Sequence, residues 1–340
     1  MKCIHHIDAD GYGAAAIVRH ELLEIYMPPT EKDFIPYNYG MKLHLPEEVR
    51  PNEPVYFVDL SLNDDIFNAI KYFVEKGANV VHIDHHLSGA RYYTAMSDED
   101  KHVYDTITHL YNPKYSGCML TWVYACMNPD ERMHPETVEF DFTEGFTHVG
   151  FWPGTDNFRE YSIPMAVRYI DDNDVWRHAI PETKYFIQYF NMEKHLPMDD
   201  EFWTEMLYSS TNHQLAEMVE TGEILYKYQT QIDKSMLKHA FDITIDGFRI
   251  IALNRPYGNS RIFCEKYDEY DAVLKFYYDG AINKWRYSIY SNGNNPDVDC
   301  AFIATKYFNG GGHKLSAAGM RDDLIINQFV RPNNYVGNTI

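Results

Sequence analysis

Asn79-Val80-Val81-His82-Ile83-Asp84-His85-His86 is a short, largely apolar run that ends in an acid and two imidazoles. Its length and β-branched residues read as a buried β-strand. In open α/β sheets, sites form beyond the carboxyl ends of the strands. Two similar strand ends lie upstream. One is Cys3-Ile4-His5-His6-Ile7-Asp8-Ala9-Asp10-Gly11, the other Val55-Tyr56-Phe57-Val58-Asp59. Three apolar strands that each deliver Asp or His predict a metal site.

The donor set narrows the metal. Imidazole and carboxylate together suit Mn²⁺, Zn²⁺ or Fe²⁺ better than Ca²⁺, which prefers oxygen alone. Five or six such side chains exceed the needs of one ion. The surplus predicts two ions, about 3.5–4 Å apart, with one carboxylate bridging them. His6, Asp8 and Asp10 alternate, so on one extended segment they would share a face. Each element alone has an ordinary reading. A single Asp at a strand end usually caps a helix or makes a turn, and a His-His pair is usually structural. The combination carries the prediction.

Around these ends the chain alternates strand and helix patterns, which implies a parallel sheet. Residues 2–8, 34–37, 55–59 and 78–84 read as strands. Residues 14–25, 66–76, 116–127 and 163–170 read as helices. Residues 88–113 and 128–160, rich in Asp, Tyr, Pro and Gly, read as loops or insertions without an assignable role. Residues 213–240 carry helical apolar spacing and read as a connector. Beyond it, 243–245, 248–253, 272–278 and 285–290 read as strands, and 298–307 as a helix leading into a glycine run. The expected division is residues 1–195, a helical linker 196–240, and a smaller α/β part 241–340.

Composition sets bounds. The chain has 340 residues, 45% of them hydrophobic, which suffices for two cores. No apolar run approaches the roughly 18–20 residues that span a bilayer, so no membrane association is expected. The N-terminus reads as a strand rather than a secretory signal. The 5 cysteines show no CxxC spacing, which fits a reducing, cytoplasmic setting. The net charge of −20 argues against tight binding of long nucleic acid. Residues 241–340 balance 11 Lys+Arg against 11 Asp+Glu, so the whole excess falls on residues 1–240. The balanced part is therefore the better phosphate-holding candidate, and a short or small substrate is favoured.

The motifs resemble those of the DHH phosphoesterase superfamily, DHH–DHHA1 branch, which includes oligoribonucleases and RecJ-type exonucleases. His6-Ile7-Asp8-Ala9-Asp10-Gly11 is similar to its first motif, Asp59 to the second, and Asp84-His85-His86 to the third. Ile170-Asp171-Asp172-Asn173-Asp174-Val175-Trp176 is similar to the fourth. Gly310-Gly311-Gly312-His313, followed by Ala317-Ala318-Gly319, is similar to the DHHA1 signature. Two departures stand out. Some relatives have a carboxylate where this chain has Tyr12. Ser288-Ile289-Tyr290-Ser291 replaces a strand whose arginine holds a substrate phosphate, so Tyr290 stands at the arginine position and Arg286 is the nearest basic residue.

The resemblance implies a parallel-sheet DHH domain joined by a helical linker to a smaller α/β DHHA1 domain. It implies two divalent ions, most often Mn²⁺, with Mg²⁺, Co²⁺ and Fe²⁺ as alternatives. The implied ligands are His6, Asp8, Asp10, Asp59 as the bridge, His85, and Asp174 with Asp172 as runner-up. Asp84 would orient an imidazole, and His86 would face the substrate phosphate. Gly310, Gly311, Gly312, His313, Arg286 and Tyr290 would hold substrate, with Tyr257 as a further residue able to stack on a base. The implied reaction is metal-dependent hydrolysis of short oligonucleotides from an end, by a chain that is compatible with a homodimer. The alternatives are hydrolysis of a cyclic dinucleotide or of 3′-phosphoadenosine 5′-phosphate, and a non-catalytic nucleotide sensor or sponge.

Overall fold

The structure, a computed structural model, describes residues 1–22, 29–143, 145–151, 159–193, 195–209, 211, 213–256, 258 and 260–330, apart from the side chains of 141, 143, 151, 264, 265 and 313. Its contacts divide the chain into two compact units, Met1–Tyr226 and Lys227–Ile340.

The first unit opens with β1 (Lys2–His6), α1 (Ala9–Glu21), β2 (Phe34–Tyr37), β3 (Pro54–Val58), α2 (Asp64–Glu75) and β4 (Asn79–Asp84). Then follow α3 (Leu87–Ala95), α4 (Asp98–Tyr104), β5 (Thr108–Tyr111), α5 (Gly117–Cys126) and α6 (Pro129–Met133). β6 (Val138–Thr143), β7 (Phe146–Phe151), β8 (Arg159–Ser162), α7 (Met165–Asp174), α8 (Thr183–Glu193) and α9 (Asp200–Tyr208) complete it. The unit boundary falls within α10 (His213–Met236).

Five strands form a parallel sheet in the order β2-β1-β3-β4-β5. Alternate side chains of each strand enter opposite cores. Cys3 and Val58 join a cluster with α1, α5 and α7, while Ile4 and Phe57 join one with α2. The starts of α1 and α2 have a local cause. Asp8 accepts from Gly11 N at 2.9 Å and caps α1, and Asn63 accepts from Ile66 N at 2.9 Å and caps α2. α2 buries Ile66, Ile70 and Phe73, one stripe at helical spacing. α5 is apolar on nearly every face and is correspondingly buried nearly all round.

Because the five strands run parallel, His6, Asp59 and Asp84 emerge at one edge. The strand order reverses between β1 and β3, the place where such sheets build sites. His6 ends one of those strands, and Asp59 follows the other.

Two long segments read as loops or insertions carry regular structure. Residues 88–113 form α3, α4 and the edge strand β5, and residues 128–160 contribute α6 and a three-stranded antiparallel sheet, β6-β7-β8. Val138-Glu139-Phe140-Asp141-Phe142 alternates with period two, a strand signal masked by the acidic and turn-forming residues around it.

The second unit is a six-stranded mixed sheet. Its strands are β9 (Phe241–Ile245), β10 (Phe248–Asn254), β11 (Ala272–Asp279), β12 (Lys284–Tyr290), β13 (Gly311–His313) and β14 (Ser316–Arg321), with α11 (Cys300–Phe308) before β13. α11 packs Ile303, Ala304 and Phe308 into a core with Ile289 and Tyr287. The fold is thus mixed α/β in both units, with an N-terminal parallel sheet. No described helix is long and apolar enough to cross a membrane.

Candidate metal centre

Asp59 is the focal residue. It follows β3 with φ +56°, in the left-handed region, which costs a non-glycine residue about 1–2 kcal/mol. β4 holds the turn from both sides. Asp59 N donates to Ile83 O at 2.9 Å, and the His82 Nε2–H donates to Leu60 O at 2.8 Å. Since a carbonyl only accepts, His82 Nδ1 is left to accept the Tyr104 hydroxyl at 2.6 Å. On sequence alone His82 reads as a surface or core histidine. In the structure it braces the turn that aims Asp59.

The carboxylate so aimed is 2% exposed, and its Oδ2 is buried with no hydrogen-bond partner. Among the described residues, three groups of His and Asp donors lie close enough to hold an ion: His6, Asp8 and Asp59; Asp59, His85 and His86; and Asp10, His85 and Asp174. Asp59 and His85 each belong to two of them. His85 Nε2 stands 3.2 Å from Asp59 Oδ1, 3.4 Å from Asp174 Oδ2 and 3.7 Å from Asp10 Oδ2. One nitrogen facing three carboxylates, and one buried carboxylate oxygen without a hydrogen bond, make a donor set suited to cations. The residues present therefore fit the predicted ions.

The first motif is built differently from the expected single extended face. β1 ends at His6 and α1 begins at Ala9, so Asp10 lies in the first helical turn. His6 and Asp8 consequently join one donor group and Asp10 another. Asp10 is held by the N-terminus of α5, accepting from Gly117 N and Cys118 N at 2.7 Å each. Gly117 makes this approach feasible, because a Cβ there would lie 2.6 Å from Asp59 Cβ.

Of the fourth-motif acids, Asp174 enters the cluster and the other two serve structure. Asp172 accepts from Ala179 N, Ile180 N and Thr183 Oγ1 at 2.8, 3.2 and 2.6 Å. Asp171 accepts from Ser116 N and Arg177, at 2.8 and 2.7 Å. Asp84 accepts from His86 Nδ1 at 2.7 Å, which leaves Nε2 as the nitrogen turned away from Asp84.

Ion pairs to these clustered carboxylates come from histidines. Burial and the neighbouring Asp10 charge push the Asp174 carboxyl up to about 8. Burial, then Asp10 and Asp8, raise Asp59 well above the carboxylate range. Burial opposes the His6 imidazolium, but the Asp59 and Asp8 carboxylates, 3.6 and 2.7 Å from its Nδ1, outweigh it and raise His6 to about 10. Both His6 nitrogens face acceptors, Asp8 Oδ2 at 2.7 Å and Asn38 Oδ1 at 3.3 Å. Protons held by these groups supply positive charge at the cluster, and ion binding would release them.

The remaining candidates belong to the second unit. Gly310 to Gly312 are not an open loop, since Gly311 and Gly312 lie on β13, paired with β14. A Cβ on Gly310 would stand 1.9 Å from Ala318 O, and one on Gly312 would stand 2.6 Å from Ala317 Cα. Close packing thus accounts for two of the glycines, while Gly311 faces open space. Arg286 Nε pairs with Asp279 Oδ2 at 2.8 Å. Tyr290 packs against the Ile251, Phe263 and Val273 cluster. Tyr257 and the His313 side chain lie outside the described residues.

No family model matches the chain. An uncharacterised protein, R106, of Acanthamoeba polyphaga mimivirus is 27% identical over 179 residues, covering 48% of this chain and 38% of that protein. The match thus spans well under half of the relative's length. Among solved structures, a pGpG-specific phosphodiesterase, PggH, from Vibrio cholerae aligns with a TM-score of 0.43 and 12% identity over 94% of this chain and 92% of that one. An exopolyphosphatase-related protein from Bacteroides fragilis aligns at 0.41 and 12% identity over 95% and 88%. Likenesses at this level fix neither family nor substrate.

Proposed function

We propose that this chain is a metal-dependent hydrolase of phosphoester bonds, acting on short oligonucleotides from an end. The observation that carries the reading is the Asp59 carboxylate, aimed by a left-handed turn into two donor groups with one buried oxygen unpartnered. His6 and Asp8 would hold one ion with it, and His85, which shares one donor group with Asp59 and another with Asp10 and Asp174, would bring those residues to the other. When bound, two divalent ions supply Lewis-acid charge and lower the pKa of water at neutral pH. His86 keeps its Nδ1 on Asp84 and presents Nε2 to a phosphate oxygen, where a fixed donor stabilises developing charge. The charge balance of residues 241–340 and the resemblance of their glycine motif favour the second unit as a phosphate-holding part. The acidic first unit favours a short substrate over a polymer.

A hydrolysis screen tests this. Chelated protein is offered RNA dinucleotides, five-nucleotide RNA and DNA, cyclic dinucleotides and 3′-phosphoadenosine 5′-phosphate, with and without Mn²⁺. The expected result is turnover of the shortest linear RNA, restored by Mn²⁺ and not by Ca²⁺. Turnover that survives exhaustive chelation contradicts the mechanism, and turnover of cyclic dinucleotides alone replaces the substrate.

A further inference from the structure

α3, α4 and β5, the elements formed by the segment to which the sequence assigned no role, enclose a cavity of about 320 Å³ against β4. Tyr93, Tyr104, His109 and Tyr111 line it, with Leu62 and Leu110 adding aliphatic surface. Asp84 belongs to the same lining. The Oδ1 atom of that carboxylate accepts from His86 at 2.7 Å, so the cavity and the donor cluster are separated by one side chain. His109 stands beside His82 in the β4–β5 register, and its ring lies 5.3 Å from that of Tyr104. Tyr111 closes the strand yet is 38% exposed, so its ring face is available to an incoming group.

Three properties of the cavity select its occupant. Its volume sits at the small end of ligand pockets, enough for one ring system and too small for a dinucleotide. Its walls are tyrosines and histidine, which favour a flat aromatic group by stacking. Its charged wall is a carboxylate, which accepts from ring or exocyclic N–H groups. A flat heteroaromatic group bearing N–H donors, beside a centre for phosphoester chemistry, is a nucleobase. We infer that this cavity receives the base of the nucleotide whose phosphate lies at the donor cluster. The inference deepens the proposed function and rests on it for the phosphate, but not for the binding of the base. Residues 87–111 would then be the element that sets base preference.

The test uses full-length chelated protein and nucleosides, which carry no phosphate. Adenosine, guanosine, cytidine and uridine, with ribose as control, are titrated to their solubility limits and followed by saturation-transfer NMR. Wild-type protein is expected to bind at least one nucleoside and not ribose. Tyr111→Ala removes a stacking face and should weaken that binding by about 5- to 100-fold. Thr94→Trp, which places an indole into the cavity from the exposed side of α3, should weaken it to a similar degree, with circular dichroism reporting that both variants fold. Absence of nucleoside binding by the wild type overturns the inference, as does binding unchanged in both folded variants. Because neither metal nor turnover enters this experiment, hydrolysis without nucleoside binding removes only the base pocket. Nucleoside binding without hydrolysis removes only the proposed reaction.

Discussion

Asp59 and Asp172 are both buried carboxylates in the first unit, 2% and 4% exposed, and they are completed in opposite ways. Asp172 closes the turn after α7, where two backbone N–H groups and the Thr183 hydroxyl occupy its oxygens. Asp59 is held by its backbone, while one oxygen of its side chain has no hydrogen bond. A buried polar group without a partner costs free energy that folding alone does not recover. The first arrangement stabilises a fold. The second keeps a donor ready for something from outside it.

The largest effect that separates the two is on turnover. Asp59→Asn should lower single-turnover rates at least about a thousandfold, as expected when several kcal/mol of transition-state stabilisation is lost, with little loss of stability. Asp172→Asn should do the reverse. It exchanges a satisfied carboxylate for an amide and should cost about 2 kcal/mol or more in chemical denaturation, with turnover largely kept at low denaturant. Equal catalytic damage from both would erase the distinction.

A smaller effect appears in stability against pH. Asp174 and His6 bind protons more tightly folded than unfolded, at about 8 and about 10 against 3.8 and 6.5. The folded state therefore carries the extra proton, and stability is fully present below the unfolded values and falls as pH rises through the folded ones. The Tm of chelated protein should decline from about pH 5 to pH 9, and Mn²⁺ should flatten the decline by replacing those protons. A chelated protein that gains stability over that range would show that the cluster is not short of positive charge.

Much of this centre was legible in the sequence, because apolar β-branched runs ending in Asp or His mark strand ends whatever the rest of the chain does. Asp84, His85, His86 and Asp59 needed only that pattern. The partition of His6 and Asp8 from Asp10 was not legible, since the α1 start at Ala9 depends on an Asp8 cap that a turn would also satisfy. Asp172 and Asp174 could not be separated by spacing, because their roles depend on Ala179, Ile180 and Thr183 folding back. β5 was hidden by its polar Thr108 and His109. The Gly310–Gly312 run read as substrate-holding, and nothing in the sequence showed that two of its glycines also pack against the β14 backbone.

The central claim is that Asp59 is shared by two ions. Mn²⁺ titration followed by electron paramagnetic resonance, on wild-type protein and on Asp59→Asn and Asp172→Asn, tests it most directly. The account predicts two Mn²⁺ per chain, magnetically coupled, in the wild type and in Asp172→Asn, with the coupling lost and affinity reduced in Asp59→Asn. Two ions bound as tightly and coupled as strongly in Asp59→Asn as in the wild type would contradict it.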